Sequence, residues 1–406
     1  MKILVVYRGL PWPYSEGYHL RVLHLFRRLR ARGHQIHLLG LINAPGQAEQ
    51  QDALEREQVF HSITLERFPR RSLLGRLRTN LGVDPPASLK AEYPGFGARL
   101  RARVAELRAR HGLDVAYVFD PWADVLFSDA LVLPTLLDVC DCRSLYYERQ
   151  LERSDLPPWR RARVHQLLRR FRALERYTLQ RYPLATAISP LDREALLRLH
   201  AGARVEVIAN GVDLEMFRPL PDVAEKPDNL ILFGNMDFLP NVDAAVHFAR
   251  EILPLVRERR LQANFTIVGT RPAPEVRRLA VEIEGVEVTG GVPDLKPWIQ
   301  RATMLVAPMR LGAGMKNKIL ETLAMEKPVV TNPTGIEAFD GEARALLRVA
   351  HDDQEFADLV CDLLDAPEER RRIGAAGRAL MQRRHSWEAA AERYERLFEE
   401  LAATAP

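Results

Sequence analysis

The chain has 406 residues, of which 47% are hydrophobic, 28% charged and 7% aromatic. That composition is typical of a folded globular protein and excludes disordered, collagen-like and coiled-coil chains. The net charge of +4 conceals an uneven distribution, because residues 1–218 carry an excess of Lys and Arg and residues 219–406 an excess of Asp and Glu. No apolar run reaches the ~18 residues of a membrane-spanning helix. The N-terminus lacks a signal-peptide core, so we expect a cytosolic protein.

Strand-like and helix-like patterns alternate along the first half. A proline-rich loop after the first strand leads to a predicted helix over Gly17–Arg32, in which apolar residues recur every three positions. The predicted strands are Lys2–Tyr7, Gln35–Leu39, Asp114–Phe119, Thr135–Cys140, Leu184–Ile188 and Val205–Ile208. Further helices are expected near 97–111 and within 157–181. Cys140 and Cys142 are predicted to be buried thiols on one face of the fourth of these strands.

The second half repeats this alternation. Its predicted strands are Leu230–Phe233, Phe265–Val268, Val286–Val288, Met304–Ala307 and Pro328–Thr331. Helices are expected near 241–258, 273–283, 315–326, 354–364, 367–382 and 386–402. Strands that alternate with helices of this length predict parallel sheets covered on both faces.

Two such halves predict an α/β protein with two Rossmann-like domains whose parallel sheets face a central cleft. A proline-rich stretch that begins at Phe217 indicates the linker. The predicted domains are residues 1–218 and 219–385, with a C-terminal helix, 386–406, that returns to the first domain. Ligands of this architecture bind in the loops at the carboxyl ends of the strands.

The loop from Pro308 to Glu321 carries the strongest local signal for a ligand. Gly312 and Gly314 would let the backbone approach an anion, and a helix predicted to start near Met315 would present its unpaired N–H groups. Lys316 and Lys318 are two of only seven lysines in the chain. Lysines are unfavourable in a first helical turn unless a negative ligand offsets them. The alternative is a flexible glycine turn with exposed lysines.

Three other loops have weaker signals. One joins the first strand to the helix at Gly17, one contains the turn Asn210-Gly211-Val212-Asp213, and one is Thr289-Gly290-Gly291-Val292-Pro293-Asp294. The small residues of the last would let backbone atoms pair with a flat base. The dinucleotide fingerprint, the P-loop and the nucleophile elbow of hydrolases are absent from the sequence, which argues against those enzyme classes. The scattered histidines and three cysteines also predict no metal site.

Two arginine-rich segments account for much of the basic excess. Residues 67–78 and 160–176 interleave Arg with apolar residues at helical spacing, a pattern that suits contact with anionic lipid headgroups. The alternative is a solvated helical face. A nucleic-acid partner is not expected, because no binding module or stacking stripe is recognisable.

In combination these loops resemble glycosyltransferase family 4, the retaining, nucleotide-sugar-dependent enzymes of the GT-B fold. The matching residues are Asn210-Gly211-Val212-Asp213 with Phe217 and Pro219, Gly234, Val268-Gly269, Thr289-Gly290-Gly291-Val292, and Gly312-Ala313-Gly314-Met315-Lys316-Asn317-Lys318 with Glu321, Ala324, Pro328, Val329 and Val330. The G-x-G-x-K-x-K loop is similar to that of bacterial exopolysaccharide and surface-polysaccharide sugar transferases.

The resemblance implies a nucleoside-diphosphate-sugar site in the second domain. By match, Glu321 would hold ribose hydroxyls, Gly291 and Val292 would meet the base, and Gly17 would approach the diphosphate and sugar. The donor-binding residues expected on this basis are Gly17, Gly234, Asn235, Gly291, Val292, Gly312, Ala313, Gly314, Met315, Lys316, Lys318 and Glu321. The family implies no metal and no other cofactor.

The sequence departs from the family at three points. Ala313 stands where the first carboxylate of the family's E-x7-E motif belongs. Asn235 and Pro240 replace the family's diphosphate-binding Arg and Lys, so we expect Lys316, supported by Lys318, to supply that charge and to be catalytic. Phe119 stands where a His is frequent, which makes the following Asp120 a second catalytic candidate. The alternative for Asp120 is a helix cap for residues 121–130.

The resulting prediction is a retaining, metal-independent hexosyltransferase of bacterial polysaccharide or glycoconjugate synthesis. Its expected partners are a nucleotide-sugar donor and a glycan or lipid-linked acceptor, with peripheral contact between the basic first domain and the inner face of the cytoplasmic membrane. A non-catalytic nucleotide-sugar-binding scaffold and a GT-B epimerase or phosphorylase remain alternatives.

Overall fold

The computed structural model describes residues 1–12, 17–43, 50–119, 123–130, 132–152, 156–312, 314–339 and 341–404, with backbone alone at 17, 18, 123 and 129. Two of the predicted site residues, Asp120 and Ala313, therefore lie outside the described residues.

The chain forms two compact units. The first contains Met1–Ala209 and the chain from Ala390 onward, and the second contains Asn210–Ala389. The change between units thus comes at residue 209, nine positions before the boundary predicted from the proline-rich linker. The chain returns to the first unit at Ala390, whereas the prediction placed this return at residue 386. The linker prolines therefore belong to the second unit, whose first residues are those of the Asn210 turn.

The first unit contains a seven-stranded parallel sheet. In chain order its strands are β1 (Lys2–Arg8), β2 (Gln35–Ile42), β3 (Ser62–Arg67), β4 (Val115–Phe119), β5 (Thr135–Cys140), β6 (Leu184–Ala187) and β7 (Val205–Val207). They lie in the order β3-β2-β1-β4-β5-β6-β7. In the inner strand β1, Val5 lies beside Leu38 of β2 and Tyr117 of β4. Apolar residues run almost continuously through β1 because helices cover both faces of such a sheet.

Nine α-helices precede the linker in the described chain. They are α1 (Gly17–Ala31), α2 (Gln51–Arg56), α3 (Leu73–Leu81), α4 (Pro85–Glu92), α5 (Phe96–His111), α6 (Ala123–Phe127), α7 (Arg143–Glu152), α8 (Pro158–Leu179) and α9 (Pro190–Leu199), with a 3-10 turn at Ser128–Ala130. No helix in the described part of the chain is both long enough and apolar enough to cross a membrane.

The second unit contains a six-stranded parallel sheet in the order β10-β9-β8-β11-β12-β13. Its strands are β8 (Asn229–Phe233), β9 (Asn264–Val268), β10 (Val286–Gly290), β11 (Met304–Ala307), β12 (Val329–Thr331) and β13 (Arg348–Val349). The helices after the linker are α10 (Leu239–His247), α11 (Leu253–Arg259), α12 (Pro274–Glu282), α13 (Lys296–Arg301), α14 (Asn317–Ala324), α15 (Pro333–Ile336), α16 (Gly341–Leu346), α17 (Asp353–Asp365), α18 (Pro367–Arg384) and α19 (Trp387–Ala403). Most of α19 belongs to the first unit. A π-helical turn, Phe248–Ile252, joins α10 to α11.

These elements confirm the predicted α/β class with two Rossmann-like parallel sheets. Every predicted strand is present, whereas β3 and β13 were not predicted. The residues of β3 are half-buried or exposed, and β13 has only two residues, so neither produces the apolar run that identifies the inner strands.

The three cysteines are free and buried, which confirms the burial predicted for Cys140 and Cys142. Their predicted placement was partly wrong, because β5 ends at Cys140, whose φ is +58°, and Cys142 lies beyond the strand. Burial raises the pKa of both the Cys140 and the Cys142 thiol, which keeps them protonated and unreactive at neutral pH.

A buried polar cluster ties the C-terminal helix to the first sheet. The Arg21 side chain, 1% exposed, donates from Nε to Asp138 Oδ2 at 2.8 Å and from Nη2 to the Tyr394 hydroxyl at 2.6 Å. Tyr117 and Tyr394 each donate a hydroxyl hydrogen bond to the same carboxylate oxygen, at 2.6 and 2.8 Å. Burial alone would raise the pKa of Asp138, but the Arg21 guanidinium and the two tyrosine hydrogen bonds together outweigh burial and hold that pKa below its ordinary value.

Candidate functional site

Three loops at the carboxyl ends of β8, β9 and β10 pack directly on one another. A Cβ added to Gly269 would lie 1.8 Å from the Gly234 carbonyl oxygen, so only glycine fits there. Gly234 N–H donates to the Val268 carbonyl and Gly269 N–H to the Gly290 carbonyl, each at 3.0 Å. Gly234 itself has φ of +143°, which strongly favours glycine. The glycines therefore allow the three loops to form one close-packed surface at the carboxyl edge of the sheet.

The loop after β11 lies close to this surface. Gly312 and Gly314 have φ of +95° and +75°. A Cβ added to Gly312 would lie 3.5 Å from Pro240 Cγ and 3.9 Å from Lys316 Nζ. The predicted donor residues Gly234 and Gly312 are thus each next to a lysine ammonium, since Lys318 Nζ lies 3.6 Å from the position of a Cβ on Gly234.

Helix α14 begins at Asn317, two residues later than predicted. Lys316 therefore occupies the N-cap position, in an extended conformation, rather than the first turn. Its side chain provides no cap, and the first turn contains no acidic residue. The Lys316 ammonium is buried and donates to the Gly314 carbonyl at 3.0 Å. The helix N-terminus consequently presents backbone N–H groups and two lysines, an arrangement that suits an anion.

Lys318 turns toward the β8 loop. Its Nζ donates to Asn241 Oδ1 at 2.6 Å, and Asn241 Nδ2 donates to the Asn235 carbonyl at 2.9 Å. Burial and the nearby charge of Lys316 lower the pKa of Lys318 to about 7, against an opposing effect of Glu321. This ammonium stands beside the loop in which Asn235 and Pro240 replace the expected basic residues. Its position agrees with the expectation that α14 supplies the missing charge, and the binding role itself stays a prediction.

Glu321 lies one turn beyond Lys318 on the same helix. Burial raises the pKa of Glu321 to about 7, although Lys318 opposes the shift. The Glu321 side chain is half-buried, and hydrogen-bond donors from a ligand would stabilise its charged form and lower this pKa. Ribose hydroxyls would supply such donors, but this role also stays a prediction.

The expected base-binding loop lies at the end of β10. Gly290 has φ of +71° with open space where a Cβ would project, while a Cβ on Gly291 would approach Thr270 Cγ2 at 3.2 Å. Gly291 is exposed and Val292 half-buried. The Thr270 hydroxyl donates to Asn235 Oδ1 at 3.4 Å, which links this loop to the β8 loop.

Two asparagines make contacts in this site that were not predicted from the sequence. Asn241 bridges Lys318 to the Asn235 backbone, and Asn210 Nδ2 donates to Asn317 Oδ1 at 3.0 Å at the start of α14. The Asn210 turn therefore supports α14 as well as reversing the chain. Met315, 9% exposed, anchors the loop in the core.

The remaining predicted residues belong to the first unit or lie outside the described residues. Gly17 is the first residue of α1 in the first unit. Asp120 lies outside the described residues, and Phe119 before it is buried and stacks on Tyr7 at 5.7 Å between ring centroids. Among the described residues no three His, Cys, Asp or Glu side chains are grouped as metal ligands would be. Metal independence stays a prediction.

Comparison with known proteins identifies the family. A model of "Glycosyltransferase Family 4" matches residues 17–216, and one of "Glycosyl transferases group 1" matches residues 227–366. The chain belongs to glycosyltransferase family 4. The two matches together span most of the chain, and the second contains the β8 loop, the β10 loop and α14.

Individual relatives are distant. A segment of 200 residues is 29% identical to D-inositol 3-phosphate glycosyltransferase of Frankia alni and covers 43% of this chain and 49% of that protein. The matched segments span about half to three-fifths of the curated relatives' lengths.

Solved structures of similar fold cover almost the whole chain. Sucrose-phosphate synthase from Thermosynechococcus elongatus superposes with a TM-score of 0.70 at 16% identity, covering 100% of both chains. HepE from Anabaena, solved in complex with UDP, superposes with a TM-score of 0.66 at 17% identity, covering 98% of this chain and 100% of HepE. At these identities the superpositions establish the GT-B fold.

Proposed function

We propose that the chain is a retaining glycosyltransferase that transfers a hexosyl group from a nucleoside-diphosphate sugar to a glycan or lipid-linked acceptor in bacterial polysaccharide or glycoconjugate synthesis. The observation that carries the proposal is the uncapped N-terminus of α14, where Lys316 is buried at the N-cap and the Lys318 ammonium faces Gly234. Family membership and the UDP bound by HepE support a nucleotide-sugar donor.

The proposed transfer reaction depends on stabilising the negative charge that develops on the leaving diphosphate. As the glycosidic C–O bond breaks, the leaving diphosphate gains negative charge, which the α14 N–H groups and Lys316 would stabilise. The acceptor hydroxyl attacks from the face that the diphosphate leaves. Its proton passes to a diphosphate oxygen, so that the products are the glycoside with unchanged anomeric configuration and the nucleoside diphosphate. No protein nucleophile is needed, and the mechanism assigns none.

The experiment is to follow the anomeric proton by NMR while the protein slowly hydrolyses a panel of α-linked nucleotide sugars, including UDP-glucose. We expect one donor to be consumed and its α-anomer to appear first. Early appearance of the β-anomer would contradict retention. Tight binding without consumption, with or without a bacterial lipid extract as acceptor, would favour the scaffold. Conversion of the donor to another nucleotide sugar would favour the epimerase.

Lys318 makes donor binding depend on pH. Its pKa near 7 in the free protein should rise when a diphosphate binds, so binding above pH 7 takes up a proton. As Lys318 loses its proton in the free protein, affinity should fall by up to about tenfold per unit above pH 7. A nucleotide sugar is the correct ligand, because its phosphates have no proton that titrates near neutrality.

Calorimetric titration with the donor at several pH values measures this effect. Lys318→Arg, which is charged at every pH in the range, should flatten the dependence above pH 7. The control Lys226→Arg, at an exposed lysine of the same unit, should behave as the wild type. An unchanged pH dependence in Lys318→Arg would show that Lys318 does not face the diphosphate.

A further inference from the structure

Helix α3 in the first unit presents its apolar face to solvent. Leu73, Leu74, Leu77 and Leu81 are 80%, 68%, 57% and 67% exposed. At 3.6 residues per turn these four leucines form one stripe about 100° wide. A surface helix ordinarily turns such a stripe toward the core, and monomeric soluble proteins rarely leave so continuous an apolar patch uncovered.

The opposite face fixes this orientation. A Cβ added to Gly75 would lie 2.4 Å from the Glu92 Cα, so the α3 backbone packs directly on the end of α4. Thr79 on the same face donates its hydroxyl to Glu92 Oε2 at 3.2 Å, and Ser72 caps the helix by accepting from the Gly75 N–H at 3.3 Å. The leucines cannot turn inward without breaking these contacts.

Basic and aromatic residues border the leucine stripe. Arg70, Arg71, Arg76 and Arg78 are exposed, with Arg76 and Arg78 on opposite sides of the stripe. The Gln166 side chain of α8 donates to the Asn80 carbonyl at the end of α3. Trp159, two turns earlier on the same face of α8, is 71% exposed. Leucine, tryptophan and arginine together are typical of a helix at a membrane interface.

A cavity of about 180 Å³ lies behind α3, at the carboxyl edge of the first sheet. Arg8, Arg71, Arg76 and Arg170 line it, and Glu92 is the acidic residue among its lining residues. Arg71 pairs with Glu92 at 3.4 Å. The cavity lining thus has four basic residues and one acidic residue, a composition that favours an anion of phosphate size.

We propose that α3 docks on an anionic phospholipid membrane, with the leucines at the boundary between headgroups and acyl chains and a lipid phosphate in the arginine cavity. Charge complementarity selects this occupant, because the patch and the cavity are both basic. Each basic residue at such a surface strengthens binding roughly fivefold, and the buried leucines add the apolar contribution. The docking surface is independent of donor binding in the second unit.

The test is co-sedimentation with vesicles of phosphatidylcholine, alone or with about a quarter phosphatidylglycerol. The wild type should bind the anionic vesicles at least tenfold more tightly than the neutral ones. The double variant Leu74→Gln/Leu77→Gln should lose at least tenfold on anionic vesicles while its folded state, by circular dichroism, is kept. The matched control is Leu261→Gln, at a leucine 78% exposed in the second unit, which should bind as the wild type.

A second variant tests the cavity. Arg76→Gln should weaken binding to anionic vesicles about fivefold or more and reduce its dependence on salt, and inorganic phosphate should compete only poorly because it lacks the acyl chains. Equal binding of the wild type and the double leucine variant would overturn the proposal. So would a wild-type dimer in lipid-free sedimentation velocity that the double variant abolishes, because a second copy of the chain would then cover the stripe.

Discussion

Replacing Lys316 by alanine should lower kcat by about 100- to 1000-fold. This is the loss expected, on the order of 3 kcal/mol, when one fixed donor to developing negative charge is removed. The Lys316 ammonium is buried at the start of α14 and already held by the Gly314 carbonyl, so it stabilises the leaving diphosphate without reorganising. The measurement is steady-state consumption of the donor that the NMR panel identifies.

Two comparisons separate this role from a structural one. Lys316→Arg keeps the charge and should recover part of the lost rate, while Lys226→Ala, at an exposed lysine, should leave kcat unchanged. If the Gly314 contact only shaped the loop, Lys316→Ala would weaken donor binding and spare kcat. Near-normal turnover in Lys316→Ala would refute the assignment.

Asp138→Asn should destabilise the first unit by about 3–5 kcal/mol, the usual cost of removing one partner from a buried ion pair. The amide leaves the Arg21 guanidinium, 1% exposed, without its counter-charge. It also weakens the two tyrosine hydrogen bonds that converge on Oδ2, one of them from Tyr394 in α19. Because the pKa of Asp138 is lowered, this stabilisation is present at neutral pH and is lost only as the pH falls through that lowered value.

Urea unfolding followed by circular dichroism measures the effect as a shift in midpoint. Asp362→Asn is the matched control: it removes the same charge from an exposed pair with Arg259 and should cost less than about 0.5 kcal/mol. Tyr394→Phe, which removes one hydroxyl from the buried cluster, should fall between the two. An unchanged midpoint in Asp138→Asn would show that the cluster does not hold α19 in place.

The sequence predicted what local chemistry determines. Apolar runs identify the inner strands because both faces of a parallel sheet are buried. The loop from Gly312 to Lys318 is recognisable because its glycines and lysines are neighbours in the chain and contradict the preferences of an isolated helix start. Edge strand β3 and two-residue β13 lack such a signal.

The contacts that the sequence did not predict join residues that are far apart along the chain. Asn241 meets Lys318 across 77 positions, and Arg21 meets Tyr394 across 373. Nothing in the spacing of these residues pairs them. The sequence predicted a lipid-binding pattern in residues 67–78 but did not fix the direction in which the leucines of α3 point. Periodicity locates an apolar face without orienting it, and the packing of Gly75 on Glu92 orients it here.

The most direct test of the nucleotide-sugar site is thermal stabilisation by UDP, GDP, ADP and dTDP of the wild type, of Glu321→Ala and of the control Glu258→Ala, an exposed carboxylate of the same unit. A specific nucleotide at about 100 times its dissociation constant should stabilise the wild type and the control by about 2.7 kcal/mol. At the same concentration Glu321→Ala should show little or no shift, because the predicted ribose contact is gone. Equal shifts in all three proteins would contradict the role of Glu321, and no shift from any nucleotide would contradict the site itself.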